Sequence, residues 1–214
     1  MSALDSSGVV ELRRYTLHPG ARETLIDLFE RELVEPQAAV GMHVLAQFRD
    51  PDEPDHFVWL RGFPDLAARA PALRAFYGGP VWARHRDAAN ATMIDSDDVV
   101  LLRHAGIAVD PARTGAPVIV TTYPVAAGGE AAVLLALEAD VLPAIRAAGQ
   151  AVRGVLRSEP GPNDFPALPV REDGPYVVTV AVGDGPAPPS IASSLLRADP
   201  HVARLMPTER SRPV

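Results

Sequence analysis

The chain has 214 residues, of which 47% are hydrophobic, and it carries a formal net charge of −7 with a pI near 5.3. This acidic balance gives no electrostatic basis for binding nucleic acid or an anionic membrane. The sequence has no cysteine and all 20 of its basic residues are arginine, so thiolate catalysis, disulfides, Schiff-base chemistry and a P-loop lysine are excluded.

The composition also bears on where the protein works. No apolar run is long enough to cross a membrane, and the acidic start MSALDSSG looks like neither a signal peptide nor a transit peptide. We therefore expect a cytoplasmic protein. The Ala-, Arg- and Pro-rich, lysine-free composition indicates a GC-rich bacterial genome.

The first half of the chain reads as six elements. VVELRRYTL (9–17) is a strand, and RETLIDLFERELVEPQAAVG is an amphipathic helix that ends at Gly41. MHVLAQFRD and HFVWLRGF are two strands around the turn DPDEPD, and they precede a helix from about Asp65 to Phe76. DDVVLLR (97–103) is the last strand. The order β-α-β-β-α-β predicts a ferredoxin-like unit.

The second half repeats this pattern about 108 residues later. Tyr123 then corresponds to Tyr15, and Gly149 to Gly41. AVRGVLRSE and PYVVTVAVGD are predicted strands around the long turn PGPNDFPALPVREDG. LLRADPHVARLM (195–206) reads as a short helical piece, and the tail TERSRPV (208–214) as the last strand.

Four segments of the first half carry a family resemblance. VVELRRYTLHPG, FERELVEPQAAVGMHVLAQFRD, FVWLRGFPDLAAR and FYGGPVW together resemble the NIPSNAP family, closely over residues 9–103 and weakly over 115–214. The resemblance implies a dimeric α+β barrel, in which two four-stranded sheets pack face to face with helices outside. The wider superfamily includes cofactor-free monooxygenases, cyclases, isomerases and haem-handling enzymes, so the fold alone does not decide the function.

The predicted architecture is therefore α+β, with tandem ferredoxin-like units forming a dimeric α+β barrel-type fold. The predicted units are a site-bearing NIPSNAP-like unit at 1–106, a linker at 107–116 and a degenerate second unit at 117–214. Both halves of one barrel would then belong to a single chain, and two chains are expected to associate further.

Strand side chains alternate between the two faces of a sheet, which sorts the first unit into an apolar and a polar face. The predicted apolar face includes Val44, Phe48 and Leu60. The predicted polar face collects Glu11, Arg13, Tyr15, His43, Gln47, Arg49, Trp59 and Arg61. Charged groups on a covered face need partners, water or a ligand. The face is thus either an ion-pair network without a ligand or the wall of a pocket.

The 108-residue offset replaces most of these polar residues in the second unit. Glu11 and Arg13 correspond to Ile119 and Thr121, and Trp59 and Arg61 fall on the apolar run VVTVAV. This asymmetry predicts one site per chain, in the first unit, with the second unit as its structural partner.

The segment FYGGPVWARHRDAANATM (76–93) is predicted to turn at its glycines, start a helix at Pro80 and cover the pocket as a lid. Trp82 and His85 share one face of this helix, which also carries Asn90 near its end. His85 is a surface or capping residue, a partner of His43 in acid–base chemistry, or a haem or metal ligand.

The sequence favours a small-molecule site that binds an apolar or aromatic, partly anionic substrate. The expected reaction is isomerisation, cyclisation, dehydration or a cofactor-independent oxidation, with no cofactor and with haem as the alternative. The candidate catalytic residues are His43, His85 and Tyr15. The candidate substrate-binding residues are Glu11, Arg13, Gln47, Arg49, Trp59, Arg61, Phe76, Tyr77, Trp82 and Asn90. His43→Ala and Arg61→Ala are expected to abolish ligand binding or turnover with little change in thermal unfolding.

A second functional class fits the same residues, namely a non-catalytic binding or protein-interaction module. NIPSNAP relatives implicated in trafficking and mitochondrial signalling suggest it by resemblance. In either class the expected partners are a small-molecule ligand and a second copy of the chain, with no nucleic acid and no membrane. An enclosed pocket lined by the polar residues favours the enzyme, and an open surface favours the module.

Overall fold

A computed structural model of the protein describes residues 4–111, 117–211 and 214. Residues 112–116 of the predicted linker and two residues of the predicted last strand lie outside this part of the chain. The described strands are β1 Val9–Leu17, β2 His43–Arg49, β3 His56–Phe63, β4 Met93–His104, β5 Val118–Pro124, β6 Ala151–Ser158, β7 Tyr176–Val182 and β8 His201–Pro207. The described helices are α1 Arg22–Leu28, α2 Val34–Ala39, α3 Leu66–Tyr77, α4 Pro80–Asn90, α5 Glu130–Ala136 and α6 Leu142–Ala147.

The eight strands close into one antiparallel barrel. Going round it, β4, β1, β3 and β2 are followed by β8, β5, β7 and β6, so both halves of the barrel have the same strand order. Two short seams join the halves. Phe48 and Arg49 pair with β8, and Leu102–His104 pair with Leu156–Ser158.

In each half of the chain, one interrupted helix packs against the outer face of the sheet. A π-helical segment, π1 Phe29–Leu33, joins α1 to α2, and a second one, π2 Leu137–Val141, joins α5 to α6. All three pieces of the second helix lie 108 residues after those of the first. Gly41 and Gly149 follow them with φ of 85° and 80°, a left-handed conformation that glycine adopts without strain.

The barrel interior is a hydrophobic core of side chains from all eight strands. Val10 and Leu12 of β1 point inward, and Leu60 of β3 and Val180 of β7 meet them there. One end of the barrel is closed by Leu4, whose carbonyl oxygen lies 2.9 Å from Nε2 of His104. The outward-facing residues of the two sheets form two further apolar clusters beneath the helices.

A β-bulge corrects the predicted faces of β2. Val44 pairs with Arg61 and Ala46 with Leu60, so Leu45 is the extra residue between them. Before the bulge, at His43 and Val44, the faces are the reverse of those predicted, whereas Ala46 and Phe48 after it point inward as predicted. Val44 therefore packs under the helices rather than in the barrel, and Leu45 points inward.

The last strand also differs from the prediction. The helix expected over 195–206 and the strand expected in the tail are wrong, because the strand is β8 at His201–Pro207 and the nearest helical turn is a 3-10 turn at Ser193–Leu195. Pro200 disfavours a helical conformation at the residue before it, so the chain runs on extended. Ala203 and Leu205 alternate into the barrel core from this strand.

Candidate functional site

The polar face of the first half lies between the sheet and the helices, as alternation predicts for β1 and β3. The strand register places Glu11 opposite Arg61 and Arg13 opposite Trp59. All four of these side chains are fully buried. They point away from the barrel interior, toward α2 and α3.

Glu11 is the centre of a buried ion-pair cluster. Its Oε2 accepts hydrogen bonds from Arg61 Nη2 at 2.6 Å and Arg13 Nη1 at 2.8 Å, and its Oε1 accepts one from Arg69 Nε at 2.7 Å. Burial would raise the pKa of Glu11, but the guanidinium groups of Arg61, Arg13 and Arg69 hold it down to about 2. The carboxylate is therefore ionised across the physiological pH range.

The cluster carries more positive than negative charge. Arg69 extends it to the loop between β6 and β7, where its Nη1 donates to Asp164 and to Asn163 Oδ1. Three guanidinium groups therefore face two carboxylates, which leaves one surplus positive charge among buried groups. A buried charge without a partner is costly, so the cluster favours an anion nearby.

A small aromatic cavity adjoins this cluster. Its volume is about 30 Å³, room for roughly one water molecule. It is lined by Tyr15, Leu25, Phe29, Leu33, Gln37, Trp59, Phe76, Tyr77, Trp82, Ala89 and Met93. Three of these residues also accept hydrogen bonds from the arginines. Tyr15 Oη accepts from Arg13 Nε at 3.0 Å, and Arg61 Nη1 donates to Tyr77 Oη at 3.3 Å and to Gln37 Oε1 at 3.4 Å.

Trp59 lies between the ion-pair cluster and the aromatic cavity and contacts both. The guanidinium carbons of Arg13 and Arg61 lie 5.5 Å and 5.2 Å from its ring centroid, within cation–π distance. Phe29 of π1 stacks edge-on against the ring at 4.7 Å. The indole N–H of Trp59 is buried and has no hydrogen-bond acceptor among the described residues.

The π-helical segment is not by itself a mark of chemistry. Such bulges are frequent at functional sites, and π1 does bring Phe29 onto Trp59. The second half has π2 in the corresponding place, however, above a cluster that is almost wholly apolar. The polar side chains, and not the helix geometry, distinguish the first half.

The second half has no corresponding cluster, as the 108-residue offset between the halves of the sequence predicts. In the strand register Ile119 lies opposite Ala181 and Thr121 opposite Thr179, where the first half has Glu11 with Arg61 and Arg13 with Trp59. Tyr123 persists, and burial raises its pKa to about 12.

The predicted lid does cover the cavity. Trp82 of α4 packs at 5.0 Å against Tyr77 and at 5.9 Å against Phe76. Ala89 is the one fully buried residue among those of α4. The turn into α4 needs glycine at Gly79, because a Cβ there would lie 2.9 Å from the carbonyl oxygen of Ala75.

The structure brings together eight of the predicted site residues. They are Glu11, Arg13, Tyr15, Trp59, Arg61, Phe76, Tyr77 and Trp82. Gln47 shares their face and is buried, but it does not line the cavity, and its side-chain amide has no hydrogen-bond partner among the described residues.

Four other predicted residues lie elsewhere. His43 is exposed and pairs with Gly62, because the bulge in β2 turns it away from the cluster. Arg49 makes a surface ion pair with Glu23. His85 is mostly buried where α4 meets π1, with Nε2 3.6 Å from Glu32 Oε2, but it does not line the cavity, and Asn90 is exposed.

Two charged residues of the cluster escape the strand-based prediction. Arg69 lies in α3, where it shares one helix face with the buried Leu73 and Phe76. The sequence does contain a signal for Arg69, namely an arginine within the apolar face of a helix. Asp164 lies in a loop of the second half, and no local pattern connects it with β1.

The described ranges were compared with the requirements of a metal site and of a membrane-spanning helix. Over residues 4–111 and 117–211, no group of three or more histidine, aspartate and glutamate residues is placed to hold a metal ion. No helix in these ranges is long and apolar enough to span a membrane.

Comparisons with known proteins show which family and which fold the chain resembles. The NIPSNAP family model matches residues 10–108, which include Glu11 and its three arginine partners. The chain carries a NIPSNAP domain. No match is found among curated proteins.

Three solved structures illustrate the similarity. A NIPSNAP-like domain protein from Burkholderia xenovorans is 25% identical and covers 48% of this chain and 89% of its own, with a TM-score of 0.43. A candidate monooxygenase from Fusobacterium nucleatum is 8% identical over 98% of both chains, with a TM-score of 0.61. An anthrone oxidase-like protein is 14% identical over 99% of this chain and 95% of its own, with a TM-score of 0.57. The last two share the α+β barrel fold with the whole chain, NIPSNAP domain included.

Proposed function

We propose that the NIPSNAP domain binds a small, planar, anionic or enolisable molecule between its sheet and its helices. The surplus positive charge buried beside an aromatic cavity is the observation that carries this proposal. The rings of Trp59 and Phe29 supply flat apolar walls, and the arginines supply the counter-charge.

The proposed chemistry is stabilisation of an enolate or another oxyanion, which forms when the substrate loses a carbon-bound proton to water. Tyr15 is the proposed proton donor because burial raises the pKa of its phenol, which keeps it protonated at neutral pH. Arg13 Nε donates to the Tyr15 oxygen and would stabilise negative charge that develops there. Tyr77 Oη likewise accepts a hydrogen bond from an arginine, Arg61 Nη1. His43 and His85 take no part in this scheme.

An oxyanion site of this kind serves isomerisation, cyclisation and dehydration, and also an oxidation in which an enolate reacts with oxygen. The descriptions of two barrels of this fold, a candidate monooxygenase and an anthrone oxidase-like protein, accord with oxidation. That likeness is one of fold, so the four reactions remain together in the proposal. The lining of the cavity contains no histidine, and we propose a reaction without haem or another cofactor.

A substrate enters, in this scheme, by displacement of α4. The cavity of about 30 Å³ is too small for an aromatic substrate while the helix is closed. We propose α4 as the moving part because it is loosely packed, with Ala89 as its one fully buried residue. Binding would replace the contacts of Trp82 with contacts to the substrate.

Phenylpyruvate is a suitable probe because it is aromatic, anionic and enolisable. The wild-type protein should accelerate exchange of its benzylic protons with deuterium, followed by proton NMR. Tyr77→Phe should slow the exchange at least tenfold at an unchanged unfolding temperature. Absence of exchange and of phenylpyruvate binding in the wild type would refute the proposal and favour the non-catalytic interaction module.

We further propose that residues 1–106 and 117–214 are tandem ferredoxin-like units joined by the linker 107–116. The shared strand order and the helix pieces 108 residues apart support this division. One chain then forms a barrel of the kind that the family resemblance assigns to two chains. Association of two such chains is proposed on the exposed apolar side chains of Ile94, Leu135, Val202 and Met206, and light scattering after gel filtration tests it.

A further inference from the structure

The end of the barrel opposite Leu4 holds a second cavity, which we name the barrel cup. It has a volume of about 150 Å³. Its wall is apolar and consists of Leu12, Val58, Val100, Val120, Ala203 and Leu205. Its polar lining consists of Arg14, Asp98, Thr122, Arg171 and His201.

The barrel cup is separate from the Glu11 cluster. Leu12 and Arg14 alternate with Arg13 and Tyr15 along β1, so the strand itself divides the two sites. The wall residues come from both halves of the chain, with Val120, Ala203 and Leu205 from the second. The cup therefore exists only because the two halves close one barrel.

Arg14 is the distinctive group of the cup. No carboxylate oxygen of the described residues forms an ion pair with it, and its buried Nε has no hydrogen-bond partner among them. Its Nη2 lies 3.4 Å from His56 Nδ1. Burial and the charge of Arg14 lower the pKa of His56, so the neutral imidazole is an acceptor and not a counter-ion for the arginine.

The carboxylate in the cup is already engaged. Asp98 Oδ1 accepts a hydrogen bond from Arg171 Nη1 at 3.4 Å. Nearby Asp50 is occupied as well, because its Oδ1 caps the backbone N–H groups of Asp52 and Glu53. Arg171 also pairs with Asp173 outside the lining, so Arg14 is the lining arginine without an ion-pair partner among the described residues.

We propose that the barrel cup binds a small monocarboxylate with an apolar or aromatic body. The carboxylate pairs with Arg14 near the Thr122 hydroxyl, and the body lies against Val120 and Leu205. The volume fits, because an apolar cavity of about 150 Å³ accepts a molecule the size of benzene. An uncommitted guanidinium selects the anion over a neutral molecule of the same shape.

Benzoate and benzamide are the probes, because they share one shape and differ in charge. Calorimetry on the full chain should show one benzoate bound at the cup, at least tenfold more tightly than benzamide. Arg14→Gln should weaken benzoate binding at least tenfold and leave benzamide unchanged. Ala203→Leu should fill the well and abolish both. Arg204→Gln is the matched control, since Arg204 neighbours Ala203 on β8 but pairs with the exposed Asp184.

Proton NMR of the ring resonances of His201 and His56 locates the ligand without any substitution. Benzoate should shift both. Three results would overturn the proposal: no benzoate binding, equal affinity for the two probes, or binding that Arg14→Gln leaves intact while Tyr15→Phe abolishes it. The last result would place benzoate in the aromatic cavity instead.

Discussion

At the scale of single residues, the Glu11 cluster belongs to the candidate site and also stabilises the folded protein. Arg61 is fully buried and donates twice to the Glu11 carboxylate. Removing one partner of a buried pair leaves the other charge uncompensated. The expectation from the sequence, that Arg61→Ala leaves unfolding nearly unchanged, has to be revised on this ground.

Arg61→Ala should lower the free energy of unfolding by about 3–5 kcal/mol in urea denaturation. Arg204→Ala should lower it by no more than about 1 kcal/mol, because Arg204 forms a half-exposed pair with a fully exposed partner. Similar losses in the two variants would mean that the cluster is hydrated and loosely held.

The same cluster predicts a pH dependence. The pKa of Glu11 is lowered from 4.5 to about 2 in the folded protein, so the unfolded chain binds the proton more tightly. Its contribution to stability, about 3 kcal/mol, is present above about pH 4.5 and is lost as the pH falls toward 2. Unfolding free energies measured between pH 6 and pH 3 should fall more steeply for the wild type than for Glu11→Gln. Parallel curves would contradict the assignment.

Alternation along β1 and β3 predicts most of the site from the sequence, because those strands pair without a break between Glu11 and Tyr15. It fails for His43, because one inserted residue in β2 reverses the faces before it. Asp164 is beyond local reasoning, since a loop about 95 residues away in the chain brings it to Arg69.

At the scale of elements, the lid depends on the turn between α3 and α4. A Cβ at Gly79 would meet the carbonyl oxygens of both Ala75 and Phe76, so Gly79→Ala should push α4 outward. The chain has two tryptophans, and Trp82→Phe leaves Trp59 as the only fluorophore of that kind.

In that background Gly79→Ala should increase acrylamide quenching of Trp59 at least twofold. Arg86→Ala, an exposed change on the same helix, should leave quenching unchanged. Unaltered quenching in the glycine variant would show that α4 does not gate access to Trp59.

The elements themselves were predictable to different degrees. The helices and their terminal glycines have strong signals, namely a 3.6-residue period and a glycine at the end. The sequence pattern does not predict β8, because only Ala203 and Leu205 of its seven residues are buried, which gives a weak alternation. Its role as a barrel strand comes from pairing with β5 and β2, which sequence periodicity does not encode.

At the scale of the whole molecule, the two halves have the same strand order but different interiors beneath their helices. The first half keeps a charged cluster and a lid, and the second half fills the corresponding space with apolar side chains. The second half still contributes to the site, because its long loop supplies Asn163 and Asp164 to Arg69. We infer that the barrel carries a single candidate site, in its first half, and that the second half supports it.

Tyr15 and Tyr123 allow this claim to be tested with a matched pair. They occupy corresponding positions in the two halves, and both are buried. In the deuterium-exchange assay with phenylpyruvate, Tyr15→Phe should reduce the rate at least tenfold, whereas Tyr123→Phe should retain the wild-type rate. Equal losses in the two variants, or a loss in Tyr123→Phe alone, would contradict a single site in the NIPSNAP domain.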